Sequence, residues 1–133
     1  MNSHKILIVD DDPLLVKIVS TNLRAGGFAV STAADGGCAL GMIRETKPDL
    51  VLLDLNFPPD VANGGGVAWN GILLMNWMRQ MSDLKVPVVI MTASEDSEIE
   101  SKAMAAGAVG FFRKPFRSEV LLSFICKTLA ATP

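Results

Sequence analysis

Five short apolar runs alternate with five segments of helical pattern along this chain, and that alternation restricts the fold more than any other feature of the sequence. The first run, KILIV (Lys5 to Val9), is short, largely β-branched and followed by acids, the pattern of a buried strand. FAVSTAA (Phe28 to Ala34), DLVLLD (Asp49 to Asp54), VPVVIMT (Val86 to Thr92) and GFFR (Gly110 to Arg113) read as four more strands. Between them the spacing changes. PLLVKIVSTNLRAGG puts Leu14, Leu15, Ile18, Val19 and Leu23 on one helical face, with Pro13 in the first turn and Gly26-Gly27 at the end. GGCALGMIRETK is a weaker helix with Ala39, Met42 and Ile43 inward. From Gly71, Leu74, Trp77, Met78 and Met81 recur at helical spacing. SEIESKAMAAGA is a helix of little apolar character. SEVLLSFICKTLA is expected to bury Val120, Leu121, Phe124, Ile125 and Leu129. A strand followed by a helix, five times, predicts a doubly wound α/β fold with a parallel sheet covered on both faces.

The bulk numbers agree and exclude several classes. At 133 residues the chain suits one domain, and with half of them hydrophobic it can build a core without disulfides or structural metal. Twelve basic against 14 acidic residues, net −2, is too balanced to indicate nucleic-acid binding by charge. Cys38 and Cys126 form no CxxC pattern and are expected as reduced thiols packed in helices. The N-terminus places acids straight after a short apolar run, unlike a signal peptide. No apolar stretch approaches the roughly 20 residues of a membrane helix. The expectation is a soluble, cytoplasmic protein.

In open α/β sheets functional groups gather beyond the carboxyl ends of the strands. Here the first strand ends at Asp10, Asp11 and Asp12, the third at Asp54, the fourth at Thr92 with Ser94 just after, and the fifth leads into Lys114-Pro115. If those strands are neighbours, the groups converge. Carboxylates brought together repel unless a cation joins them, and oxygen donors without a soft partner suit Mg²⁺ or Mn²⁺. The single histidine, His4, precedes the first strand and argues against zinc. A metal beside Asp54, a hydroxyl from Thr92 and a point charge from Lys114 would neutralise and position a phosphoryl group. Asp54 would then be the nucleophile. Against this, Asp12 reads as a plain helix cap, Asp54 taken alone could be a turn residue before Pro58, and Thr92 could merely finish a strand.

At these residues the chain resembles a known family. ILIVDDDP, LVLLDLNFP, VVIMTAS and FFRKPF, in this order, are similar to the four signatures of the receiver domain of two-component response regulators. The resemblance spans essentially the whole chain. It implies a flavodoxin-like three-layer fold with strand order 2-1-3-4-5, and one receiver domain over residues 1–133. It implies Asp54 as phosphoacceptor. Mg²⁺ (or Mn²⁺) would be held by Asp10, Asp11, Asp54 and the backbone carbonyl of Asn56. Thr92 would be the switching hydroxyl, Lys114 the phosphate-pairing lysine with a cis bond to Pro115, and Phe111 the aromatic that changes rotamer. Tyrosine is common at that last position; phenylalanine lacks its hydroxyl. Ala93 gives access to the site, and Asn56 and Ser94 match positions that tune hydrolysis. Implied partners are a histidine kinase or phosphotransfer protein and an unidentified downstream partner or output domain, with no direct contact to nucleic acid or membrane. The resemblance leaves a homodimer through the fourth and fifth helices open, with no direct sign of it in the sequence. The chain would be no enzyme beyond catalysing its own phosphorylation and dephosphorylation. A stand-alone receiver and a piece of a larger regulator or hybrid kinase are both open. So are two other classes: a scaffold that keeps the fold without phosphorylation, and a small phosphatase of the aspartyl-nucleophile type. The latter needs a second acid two residues past its nucleophile, where this chain has Asn56.

One stretch departs from the family pattern. After the acceptor the pattern D-L-x-x-P-x-x-[DS]-G puts glycine eight positions on, whereas Gly71 follows Asp54 by 71 − 54 = 17. Pro58 is in register, so the extra residues fall at about 59–70, around DVANGGGVAW. No Gly-Lys-[Ser/Thr] ending marks a phosphate-binding loop. Two readings stay open: a glycine-tolerant surface loop, whose closure costs little, and a flap in which Val67, Ala68 and Trp69 pack on the protein or a partner. The second is a hypothesis that the loop modifies partner choice or phosphate lifetime. Deleting Asp60 to Trp69 tests it, and an unchanged lifetime and partner set would sink it.

Overall fold

A computed structural model describes residues 4–55, 71–80, 86–93 and 97–130; within these, the side chains at 71–74, 77 and 97 are also outside the description. Asn56, Pro58, Trp69 and the rest of 59–70, Met81 and Ser94 therefore lie outside the described residues, as do the side chains of Leu74 and Trp77.

The described residues form five strands and five helices in strict alternation: β1 (Lys5–Val9), α1 (Pro13–Ala25), β2 (Ala29–Ala33), α2 (Gly36–Thr46), β3 (Leu50–Asp54), α3 (Gly71–Gln80), β4 (Val88–Thr92), α4 (Ser97–Ala105), β5 (Gly110–Arg113) and α5 (Ser118–Ala130). All strand pairs are parallel, in the order β2-β1-β3-β4-β5. The predicted topology holds, with strands two and four each starting a residue or two later than their apolar runs.

Side chains of successive strand residues point to opposite faces, and the core divides accordingly. Leu7, Val9, Val51, Leu53, Val88 and Ile90 pack under α2, α3 and α4 through Ala39, Ile43, Met75, Met78 and Ala103. Ile6, Ile8, Leu50, Leu52, Val89 and Met91 pack under α1 and α5 through Val19, Leu23, Leu121, Ile125 and Leu129. β3 and β4, in the middle of the sheet, are buried along their whole length, which is why their sequences are unbroken apolar runs.

Local signals set the helix ends. Asp12 caps α1, its carboxylate accepting from the backbone N–H of Leu14 and Leu15, and Pro13 opens the helix. Gly27, at φ +95°, turns the chain back toward β2. Asp35 caps α2 through the N–H of Cys38. Among the described residues no helix is long and apolar enough to cross a membrane.

Three side chains expected inside are outside. Leu14 is 66% exposed, Ile18 47% and Val120 52%. At roughly 100° per residue, the strip of α1 that meets the sheet runs through Leu15, Val16, Val19, Ser20 and Leu23, and Leu14 and Ile18 fall on the opposite side. In α5 the buried line is Leu121, Ile125 and Leu129, and Val120 lies off its flank. Apolar periodicity counts every apolar residue; it does not tell those facing the sheet from those left for another surface. Cys38 and Cys126 are free thiols on helices, as expected, but both are exposed rather than packed.

Candidate phosphoryl-accepting site

Because the sheet is parallel, every strand delivers its last residue to the same edge. Val9 pairs in register with Leu53, and Asp54 with Met91. Asp10 therefore follows β1 directly beside the end of β3, and Thr92 lies one residue beyond the partner of Asp54. Thr92 is paired in turn with Arg113 of β5, and its carbonyl accepts from the backbone N–H of Lys114 at 2.7 Å. Strand register alone thus assembles Asp10, Asp54, Thr92 and Lys114.

Asp10, Asp54 and Thr92 are buried, and Asp11 is exposed. One carboxylate oxygen from each of Asp10, Asp11 and Asp54 can be chosen so that all three lie within 4.8 Å of one another. Three hard oxygen donors around so small a space fit Mg²⁺ or Mn²⁺ and do not fit a metal that selects nitrogen or sulfur. The fourth expected ligand, the carbonyl of Asn56, lies outside the described residues.

Lys114 balances part of this charge. Its Nζ is 2.8 Å from Asp10 Oδ2 and 3.7 Å from Asp54 Oδ2. The other oxygen of Asp10 accepts from the N–H of Asp12 at 2.9 Å, so Asp10 is held from both sides. The sequence led us to expect Lys114 at the phosphoryl group; its preference for Asp10 carries no sequence signal, because it depends on which of two neighbouring carboxylates is nearer. The Lys114-Pro115 peptide is cis, as expected.

Phe111 and Phe112 face opposite sides of β5. Phe111 is half-buried against the core layer of α2, α3 and α4. Phe112 belongs to the other layer and makes edge contacts with Phe116 and Phe124, at ring separations of 5.9 and 5.5 Å. One neighbour went unnoticed in the sequence: Arg113 sets its guanidinium carbon 5.2 Å from the centre of the Phe111 ring. The available signal was the two-residue spacing, which puts both on one face of the strand.

The comparisons with known proteins point the same way. The family model for the response regulator receiver domain matches residues 6–125. The DNA-binding response regulator MtrA of Mycolicibacterium smegmatis is 37% identical over 120 residues, covering 90% of this chain and 48% of that protein. The chain spans about half the length of the curated relatives it matches. Among solved structures, the chemotaxis protein CheY4 of Vibrio cholerae is 31% identical with a TM-score of 0.82, covering 95% of this chain and 98% of that one. The BeF3-activated N-terminal receiver domain of Klebsiella pneumoniae RstA is 26% identical, also with a TM-score of 0.82 and the same coverage of both chains.

Proposed function

The chain belongs to the response regulator receiver domain family of two-component systems, and on that premise we propose that it is a phosphoacceptor switch in which Asp54 takes a phosphoryl group from a phosphohistidine. The observation that carries this reading is the convergence of the Asp10, Asp11 and Asp54 carboxylates within 4.8 Å, with the Lys114 ammonium against two of them.

Asp10, Asp11 and Asp54 would hold Mg²⁺, with the carbonyl of Asn56 as a further ligand. Bound there, the ion supplies positive charge opposite the phosphoryl oxygens. The chain's own groups do the rest. A carboxylate oxygen of Asp54 attacks phosphorus in line; the P–N bond to the donor histidine breaks, and its electron pair stays on the imidazole nitrogen. The Thr92 hydroxyl donates to one phosphoryl oxygen, and Lys114 leaves Asp10 to pair with another. Such chemistry is chiefly positioning and charge neutralisation, and a rigid sheet edge supplies both. Apart from this transfer and the later hydrolysis of the acyl phosphate the domain catalyses nothing.

The donor is a histidine kinase or phosphotransfer protein, and we place its docking on α1. Leu14 and Ile18 are large, apolar and exposed, on the helix that begins two residues after Asp11. One helical turn apart, they share a face of α1 and together offer an apolar contact surface. Output follows by population shift: phosphorylation draws in Thr92, and Phe111 turns into the space that it leaves. MtrA's DNA binding belongs to a protein about twice this length; this domain, with net charge −2, signals through protein contacts.

Incubation with acetyl phosphate and Mg²⁺, followed by intact-mass measurement, tests the reading. Wild type gains one phosphoryl group and Asp54→Asn gains none. No gain on wild type removes the proposal.

A further inference from the structure

Phe111 sits on an edge strand. Among the described residues β5 pairs with β4 alone. A half-buried phenyl ring at such a position has no hydroxyl with which to hold an orientation; its one polar handle is the electron-rich ring face. That face is occupied. Arg113, two residues on and on the same side of the strand, places its guanidinium carbon 5.2 Å from the ring centre, within the roughly 6 Å over which a cation and an aromatic face attract.

The location of this contact gives it a consequence. Arg113 is the register partner of Thr92, and it adjoins Lys114, whose ammonium bridges toward Asp10 and Asp54. Phe111 is the register partner of Ile90, two residues before Thr92. The residue that carries this cation is therefore the strand partner of Thr92 and the chain neighbour of Lys114, the two residues that would contact the phosphoryl group. A ring turning inward, beneath Thr92, must leave the guanidinium.

We propose that Arg113 is a positioning residue that latches Phe111 in its outward orientation, so that the cation–π contact sets the resting population of the switch. The proposal rests on the reading of Phe111 as the aromatic that reports phosphorylation. It also accounts for how a phenylalanine serves where a tyrosine would hold itself by its hydroxyl: a neighbouring cation supplies the directional contact. Removing the guanidinium raises the inward population of Phe111 before any phosphoryl group arrives.

The test is made on the full chain. The χ1 populations of Phe111 are measured by NMR on unphosphorylated protein labelled at phenylalanine, with Phe111→Leu used to assign its signals among the six phenylalanines. Arg113→Gln is expected to raise the ratio of inward to outward ring about three-fold, in keeping with an exposed cation–π contact, and Arg113→Lys to raise it less. Acetyl phosphate labelling gives the second readout. Arg113→Gln accelerates it by a similar factor in the wild-type background and leaves it unchanged in the Phe111→Leu background. That second comparison separates the latch from the loss of a positive charge near Asp54, which would act with or without the ring. Unchanged χ1 populations in Arg113→Gln overturn the proposal, and so does a rate effect that persists without Phe111. Should wild type accept no phosphoryl group, the phosphoacceptor reading fails, while the χ1 measurement still decides whether Arg113 holds the ring.

Discussion

Lys114 Nζ lies 2.8 Å from Asp10 Oδ2, nearer than the 3.7 Å that separates it from Asp54 Oδ2. A buried carboxylate assigned to a metal ion is thus already paired with a cation carried by the chain. The two cations compete. Substituting Lys114 by Met, which keeps the stem and removes the charge, is expected to tighten Mg²⁺ binding about five-fold, the equivalent of roughly 1 kcal/mol for a partly exposed ion pair. Lys17→Met, the same change of net charge on an exposed residue of α1, should leave the affinity within about two-fold, since the field of a solvent-exposed charge is weakened by water and salt. Calorimetric titration with Mg²⁺ measures both. An affinity for Lys114→Met equal to or weaker than wild type would show that the ammonium does not contest the site. Labelling by acetyl phosphate should fall in the same variant, because the phosphoryl group loses its point charge.

Leu14 and Ile18 separate docking from chemistry. Both stand out from α1, on the side away from the sheet. Changing the pair to Ser should alter stability by no more than about 0.5 kcal/mol, as is usual for exposed positions, and leave acetyl phosphate labelling at the wild-type rate. Transfer from a phosphorylated histidine kinase should slow by about ten-fold or more, since apolar anchors carry a large share of interface energy. Equal slowing with both donors would place these residues in the chemistry rather than in partner contact.

These two surfaces mark where sequence reading succeeds and where it stops. Asp10, Asp54, Thr92 and Lys114 could be placed at one edge without coordinates, because a parallel sheet carries every strand's carboxyl end to the same side and each of these residues ends or follows a strand. The strand order needed the family resemblance as well. By contrast, Leu14 and Leu15 are alike as letters, yet Leu15 packs on the layer of α1 and α5 and Leu14 is exposed. The docking angle of the helix decides that, and periodicity does not contain it. Nor does sequence say which carboxylate Lys114 prefers, or that Arg113 lies over Phe111; both depend on differences of an ångström or so between side chains far apart in the chain or free to rotate.

Ser20 illustrates a cost hidden in the same helix. Ser20 is buried on the sheet-facing side of α1, and among the described residues its Oγ has no hydrogen-bond partner. An unsatisfied buried polar atom costs roughly 1–3 kcal/mol, and Ala also favours the helix over Ser. Ser20→Ala is expected to stabilise the fold by about 1 kcal/mol, seen as a higher urea midpoint at unchanged m-value. Acetyl phosphate labelling should not change. A lower midpoint would mean that the hydroxyl is satisfied after all in solution.

Gly110 opens β5, and here the absence of a side chain is what the packing requires. A methyl group built on it would lie 2.5 Å from Phe124 Cε1 and 2.6 Å from Cζ. The Phe124 ring makes an edge contact with Phe112, at 5.5 Å, and Phe112 makes another with Phe116, at 5.9 Å, so a shift of the Phe124 ring disturbs this aromatic cluster. Room for the methyl must come from displacing the Phe124 ring, an overpacking that costs roughly 1–3 kcal/mol. We expect Gly110→Ala to lower stability by about 2 kcal/mol, measured by urea unfolding. The source of the cost is checked by combining it with Phe124→Leu. The smaller side chain vacates the space, so in that background the added methyl should cost less than half as much, a coupling well above the additivity found for residues that do not touch. Equal costs in the two backgrounds would place the strain in the β5 backbone and remove Phe124 as the reason for glycine at this position.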